Sequence, residues 1–180
     1  MAIIAKASGD SGNFEPAPTG TYRAVCVDVV DLGVLDVTWQ GKQKRQHKIN
    51  VAWMLDEARE DGKPFMVFKR YTLSLHEKGT LRKDLESWRG RKFTRDEEMG
   101  FDVETVVGKS CIVGVTHVEK GGTVYANVSS IAPLMKGMQA MPIPADYIRK
   151  QDRTDAQPAT APERDDEPPM EPISADDIPF

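Results

Sequence analysis

Basic and flat aromatic side chains dominate the residues that could do chemistry in this chain, and they gather in two places. Lys42, Lys44, Arg45 and Lys48 fall in the polar segment from Gln40 onward, just behind Trp39, and Lys69, Arg70 and Tyr71 are consecutive. Cations displace counterions from a phosphate backbone and aromatic faces stack on bases, so this mixture suits a single nucleic-acid strand and needs no strict spacing. Catalysis finds less support. His47, His76 and His117 are scattered, and no HExxH, Walker, GxSxG or GxGxxG pattern occurs. The neighbouring acids Asp56 and Glu57, or Glu97 and Glu98, read as solvated charge rather than metal ligands, so neither an enzyme nor a cofactor is expected. Cys26 and Cys111 sit in apolar runs without CxxC or Cys/His spacing, which predicts buried reduced thiols.

The elements that position these residues follow from hydrophobic period. Tyr22 to Val30 and Val34 to Trp39 read as one long strand bent at Gly33, and Gln40–Gln46 as a loop. Ile49, Val51, Trp53 and Leu55 alternate with Lys48, Asn50 and Ala52, giving a second strand with one apolar face. Phe65–Leu73 forms a third. Leu81, Leu85 and Trp88 recur at helical spacing before Gly90, and Thr94 with Glu97 fits a capping box. Strands at Ser110–Val118 and Thr123–Ile131 flank a glycine-rich turn. Three strands, a helix and two strands is the element order of a five-stranded oligonucleotide-binding (OB) barrel, mainly β, with the helix between strands 3 and 4. An unrelated small barrel or sandwich with an inserted helix fits the same order.

In an OB barrel the bound strand crosses strands 2 and 3 between the first and last inter-strand loops. That places Lys42, Lys44, Arg45 and Lys48 at one end of the groove, Lys69, Arg70 and Tyr71 in its middle, and Lys120 near the other end. Tyr125 turns outward if Val124, Ala126 and Val128 face the core. Trp53 and Trp88 read as core, while Trp39 suits packing and stacking equally.

The 180 residues carry a net charge of −4, divided unevenly: residues 1–150 hold 22 Lys+Arg against 19 Asp+Glu, and residues 151–180 hold 2 against 9. Six of the 12 prolines lie in that last stretch, whose scattered apolar groups cannot offset the entropy of ordering it. The expected organisation is a flexible arm at 1–19, a binding domain at 20–135, and a Pro-rich acidic, disordered tail at 136–180 with a docking tip at 174–180. No apolar run is long enough to span a bilayer or to form a secretory signal core, so a cytoplasmic protein without membrane contact is expected.

The tip itself, Ser174-Ala-Asp-Asp-Ile-Pro-Phe180, is apolar at its end and acidic just before it. Phe180 suits an apolar pocket, its carboxylate an arginine, and Asp176 and Asp177 a basic rim. Asp176, Asp177, Ile178, Pro179 and Phe180 closely resemble the end of bacterial single-stranded DNA-binding proteins. The stretch YTLSLHEKGTLRKDLESWRGRKFT, with GFD and VGK after it, is similar to bacteriophage-encoded OB-fold single-stranded DNA-binding proteins. That resemblance covers about residues 20–135 and implies non-enzymatic, sequence-tolerant DNA binding in phage replication or recombination, inside a bacterial host. It also implies recruitment of host or phage replication, recombination and repair enzymes through the tip, and leaves homo-oligomerisation open. The rival is an OB-fold protein–protein adaptor or recombination mediator that uses the tip for recruitment.

Overall fold

A computed structural model describes residues 15–153. Five strands, β1 (Gly20–Trp39), β2 (Lys42–Ala58), β3 (Pro64–Thr72), β4 (Ser110–Lys120) and β5 (Thr123–Ala132), form one sheet in the order β3-β2-β1-β4-β5. Every ladder is antiparallel. Between β3 and β4 lie α1 (Thr80–Arg89), α2 (Arg95–Met99) and a short 3₁₀ turn at Val103–Val106. The mainly β class and the helix between strands 3 and 4 are as the sequence predicts.

A closed barrel is not what the ladders form. β3 and β5 are the two edges of the sheet, and although their Cα atoms approach within 8 Å, no ladder joins them among the described residues. Helix α1 lies against both edges instead. Its Asp84 accepts hydrogen bonds from Lys69 and Tyr71 of β3, while its Ser87 Oγ donates to the Ile131 carbonyl of β5 at 2.5 Å. The helix thus ties the two edges together through side chains of β3 and one backbone carbonyl of β5.

The odd-numbered residues Ile49, Val51, Trp53 and Leu55 of β2 face α1, whose stripe Leu81, Leu85 and Trp88 is buried against them. Trp53 and Trp88 meet with ring centroids 6.0 Å apart, so both are core, as their positions in the apolar patterns indicate. Cys26 and Cys111 are buried in the same cluster, and burial pushes the Cys26 thiol up to about 12, leaving it inert as a nucleophile. Thr94 and Glu97 make the expected reciprocal capping box.

Two turns decide what protrudes. Gly121 and Gly122, at φ 57° and 79°, close the β4–β5 hairpin with both central residues left-handed, the geometry that matches strand twist. Gln40 and Gly41 do the same between β1 and β2, at φ 47° and 75°. The segment Gln40–Gln46 is therefore a two-residue turn followed by strand, not the loop its polarity suggests. Beyond a bulge between Asp31 and Gly33, residues 33–39 and 42–48 pair as the ribbon that forms the first arm.

Packed chain also continues past residue 135, where the sequence places the start of the tail. Met141, Ile143 and Tyr147 cover Val25, Val27, Ala52, Met54, Met66 and Phe68 on the outer face of the sheet. Ser110 Oγ donates to the Met141 carbonyl and accepts its N–H, fixing one end of this strap. The other end is fixed at Asp28, whose side chain is 4% exposed and accepts from Arg149 Nε at 3.0 Å and from the Lys150 N–H at 2.7 Å. Arg149 reaches Glu104 as well, at 2.9 Å.

Candidate nucleic-acid interface

Side chains of directly paired residues in an antiparallel ladder share a face, so the register sorts the predicted residues. Trp39 lies opposite Lys42, Val37 opposite Lys44 and Leu35 opposite Gln46. One face of the first arm therefore alternates apolar groups from β1 with amines and an amide from β2. The same face continues onto the sheet, where Lys48 stands between Gly33 and Thr72, and Asn50 between Val30 and Arg70. Further along it meets Phe68 and Met66, where the strap takes over. The open part of the outer face thus runs from Trp39 at the arm's end to Arg70 and Thr72 on β3.

Lys42 and Lys44 are exposed there and suited to phosphate. Lys48 is not: it is 6% exposed, and its ammonium donates to Thr72 Oγ1 at 2.8 Å, while that hydroxyl donates to Gln46 Oε1 at 3.3 Å. This polar chain ties β3 to the base of the arm. Trp39 is half-buried, and its indole N–H is covered with no acceptor among the described residues.

Of the five predicted contacts that fall elsewhere, three do so because of strand phase. Tyr71 and Lys69 have the opposite phase from Arg70 and lie across from Ile49 and Val51, on the α1 side. Tyr71 is 1% exposed and donates to Asp84 Oδ2 at 2.7 Å; Lys69 pairs with the same oxygen at 2.7 Å. Both fasten α1 to β3, and Tyr71 cannot stack a base while it remains in the core. Arg45 belongs to the rear of the arm, across from Asp36, with 3.7 Å between Nε and Oδ1. On that rear face His47 Nε2 also meets Asp31 Oδ1 at 2.6 Å. The Gly33 N–H and, after it, His47 hold the Asp31 carboxyl below its ordinary range.

Lys120 and Tyr125 sit on the second arm, Thr116–Lys120 with Thr123–Asn127, which stands apart because the β1–β4 ladder stops at the Gly20–Val115 pair. Tyr125 is half-buried across from Val118, and Lys120 is exposed beside the turn. Ala126 and Val128 are buried as expected, whereas Val124 is exposed near the end of the hairpin. The structure therefore brings together Trp39, Lys42, Lys44 and, more deeply set, Lys48 and Arg70.

Leu35, Val37, Gln46, Asn50 and Thr72 complete the face and were not singled out by residue type. Alternation from Leu35 to Trp39 was their signal, once Lys42 to Lys48 is read as strand. Asp176 to Phe180 lie outside the described residues. Among those described, no three potential ligands gather to hold a metal, and no helix is long and apolar enough to cross a membrane. No family model matches this chain and no curated protein matches its sequence, so the face is defined by its own residues.

Proposed function

We propose that this chain binds single-stranded DNA without regard to sequence and without catalysis, on the outer face of the first arm and the adjoining β2–β3 surface. The observation that carries this reading is the register that sets Trp39, Val37 and Leu35 beside Lys42, Lys44 and Gln46 on one open face. A base stacks on an apolar or aromatic platform while its phosphate meets an amine one strand away. The strand order is the one that an OB sheet adopts before its edges close, which supports an OB-type domain curled around α1. In this reading the protein coats DNA during bacteriophage replication or recombination, in the host cytoplasm. Its tip, Asp176 to Phe180, docks replication, recombination or repair enzymes.

The test is a titration of the full chain with single-stranded and duplex oligonucleotides across a salt series. Affinity for the single strand should exceed that for duplex and fall steeply as salt rises. Trp39→Ala should weaken single-strand binding by about 1–3 kcal/mol, the range for one stacked base. Binding with no salt slope, or no binding at all, would favour a protein-binding adaptor.

A further inference from the structure

We propose that the strap, residues 141–150, closes off the DNA face and limits the strand that one copy holds to about five nucleotides, lying between Trp39 and Arg70. This rests on the DNA-binding reading of that face and adds to it the length of the ligand. The register shows where the face stops. Lys48, Asn50, Ala52 and Met54 of β2 share the outer side with Thr72, Arg70, Phe68 and Met66 of β3, pair by pair. The first two pairs lie outside the strap, and the last two are covered by Met141, Ile143 and Tyr147.

The strap also separates the two arms. The first arm leaves the sheet beyond Gly33 and the second beyond the Gly20–Val115 pair, toward opposite ends of β1. Between those points the strap covers β1 at Val25 and Val27 and is anchored at Asp28. Val113 and Val115 of β4 face the core, so by alternation Thr116, Val118 and Lys120 face outward, with Tyr125 across from Val118. A strand laid along the outer face from Trp39 toward Tyr125 therefore meets the strap on its way.

DNA is a poor replacement for that cover. Val25 and Val27 are fully buried beneath the strap, and Ala52 and Met54 nearly so. Lifting it would expose these apolar groups, strand the Asp28 carboxylate and break both hydrogen bonds of Ser110 Oγ. A strand that carries a charged phosphate at every nucleotide cannot offset all three losses. Phe68 is thus withheld from stacking, and the usable face is the stretch of β1 from Trp39 back to Val30 with its partners on β2 and β3. At the rise of a strand that stretch is about 30 Å long. It suits about five nucleotides, toward the low end of the roughly 4–16 that one OB domain covers.

Oligothymidylates of increasing length, titrated against the full chain at one low salt concentration, test this limit. Affinity should climb steeply to about six nucleotides and then rise only by the statistical gain of extra registers. Ser110→Ala combined with Arg149→Ala removes a side-chain hold at each end of the strap. In that variant a strand of about twelve nucleotides should bind about tenfold more tightly than one of about six, the worth of one further stacked base. Hydrogen exchange of the wild-type chain needs no variant: the longer strand should slow exchange at residues 34–48 and leave residues 141–150 as protected as without DNA. Wild-type affinity that keeps climbing to about twelve nucleotides, faster exchange at 141–150 on adding DNA, or wild-type length dependence in the double variant would each overturn the limit while leaving the DNA reading in place. Absence of binding at every length would overturn both.

Discussion

Tyr71→Ala is expected to unfold the protein far more readily while leaving the DNA affinity of the folded fraction unchanged. The ring is 1% exposed, lies on the α1 side of β3, and lines a small cavity shared with Trp53, Asp84 and Trp88. Removing a buried ring of this size costs about 3–5 kcal/mol, because the surrounding side chains relax only partly into the space. Tyr71→Phe deletes the hydroxyl alone and should cost about 1 kcal/mol, since Asp84 keeps its partner in Lys69. Urea denaturation of the three proteins, with DNA titration well below each midpoint, separates the two roles. Lost affinity with unchanged stability would return Tyr71 to the DNA surface.

The second large effect concerns the strap. Arg149→Ala leaves the Asp28 carboxylate, 4% exposed, with the Lys150 N–H as its remaining hydrogen bond from the strap, and breaking a fully buried pair in this way costs about 3–5 kcal/mol. Arg149 itself is about a fifth exposed, which places the expected loss toward 2 kcal/mol rather than 5. Removing both charges, with Asp28→Ala added to Arg149→Ala, should cost less than the two single changes together, because no buried charge is then stranded. Hydrogen exchange should locate the weakening at residues 141–150 and at the strands beneath them. Uniform protection in Arg149→Ala would show that Met141, Ile143 and Tyr147 hold the strap without this clasp.

Much of the fold was legible in the sequence because its signals are local. Leu81, Leu85 and Trp88 could bury only as a helical stripe, Thr94 and Glu97 form a cap from four residues, and Gly121-Gly122 supplies two left-handed positions in a row. What was not legible depends on phase and on distant partners. Lys69, Arg70 and Tyr71 look equivalent as neighbours, yet a strand sends alternate residues to opposite faces, and Asp84, thirteen residues beyond Tyr71, decides that a lysine can sit on the inner one. Lys42, Lys44 and Arg45 suggested a loop because polar runs usually do. The cue to the contrary was Gly41 alone, since glycine beside Gln40 permits a two-residue turn and turns the basic run into strand. The strap escaped notice because Pro142, Pro144 and the acidic stretch after them share a composition, although Met141, Ile143 and Tyr147 are closely spaced, whereas residues 151–169 hold no Met, Ile, Leu, Val or aromatic side chain.

The sharpest test compares two neighbours on opposite faces of the arm, Lys44→Gln and Arg45→Gln, in single-stranded DNA titrations over a salt series. Each removes one positive charge from the same stretch of strand, so net charge and long-range steering change equally. Lys44 faces the Trp39 side and Arg45 faces Asp36. Lys44→Gln should weaken binding and lower the slope of log affinity against log salt by about one, as for a lost phosphate contact, whereas Arg45→Gln should leave that slope near the wild-type value. Equal losses in both variants, or a loss in Arg45→Gln alone, would contradict the assignment of the open face.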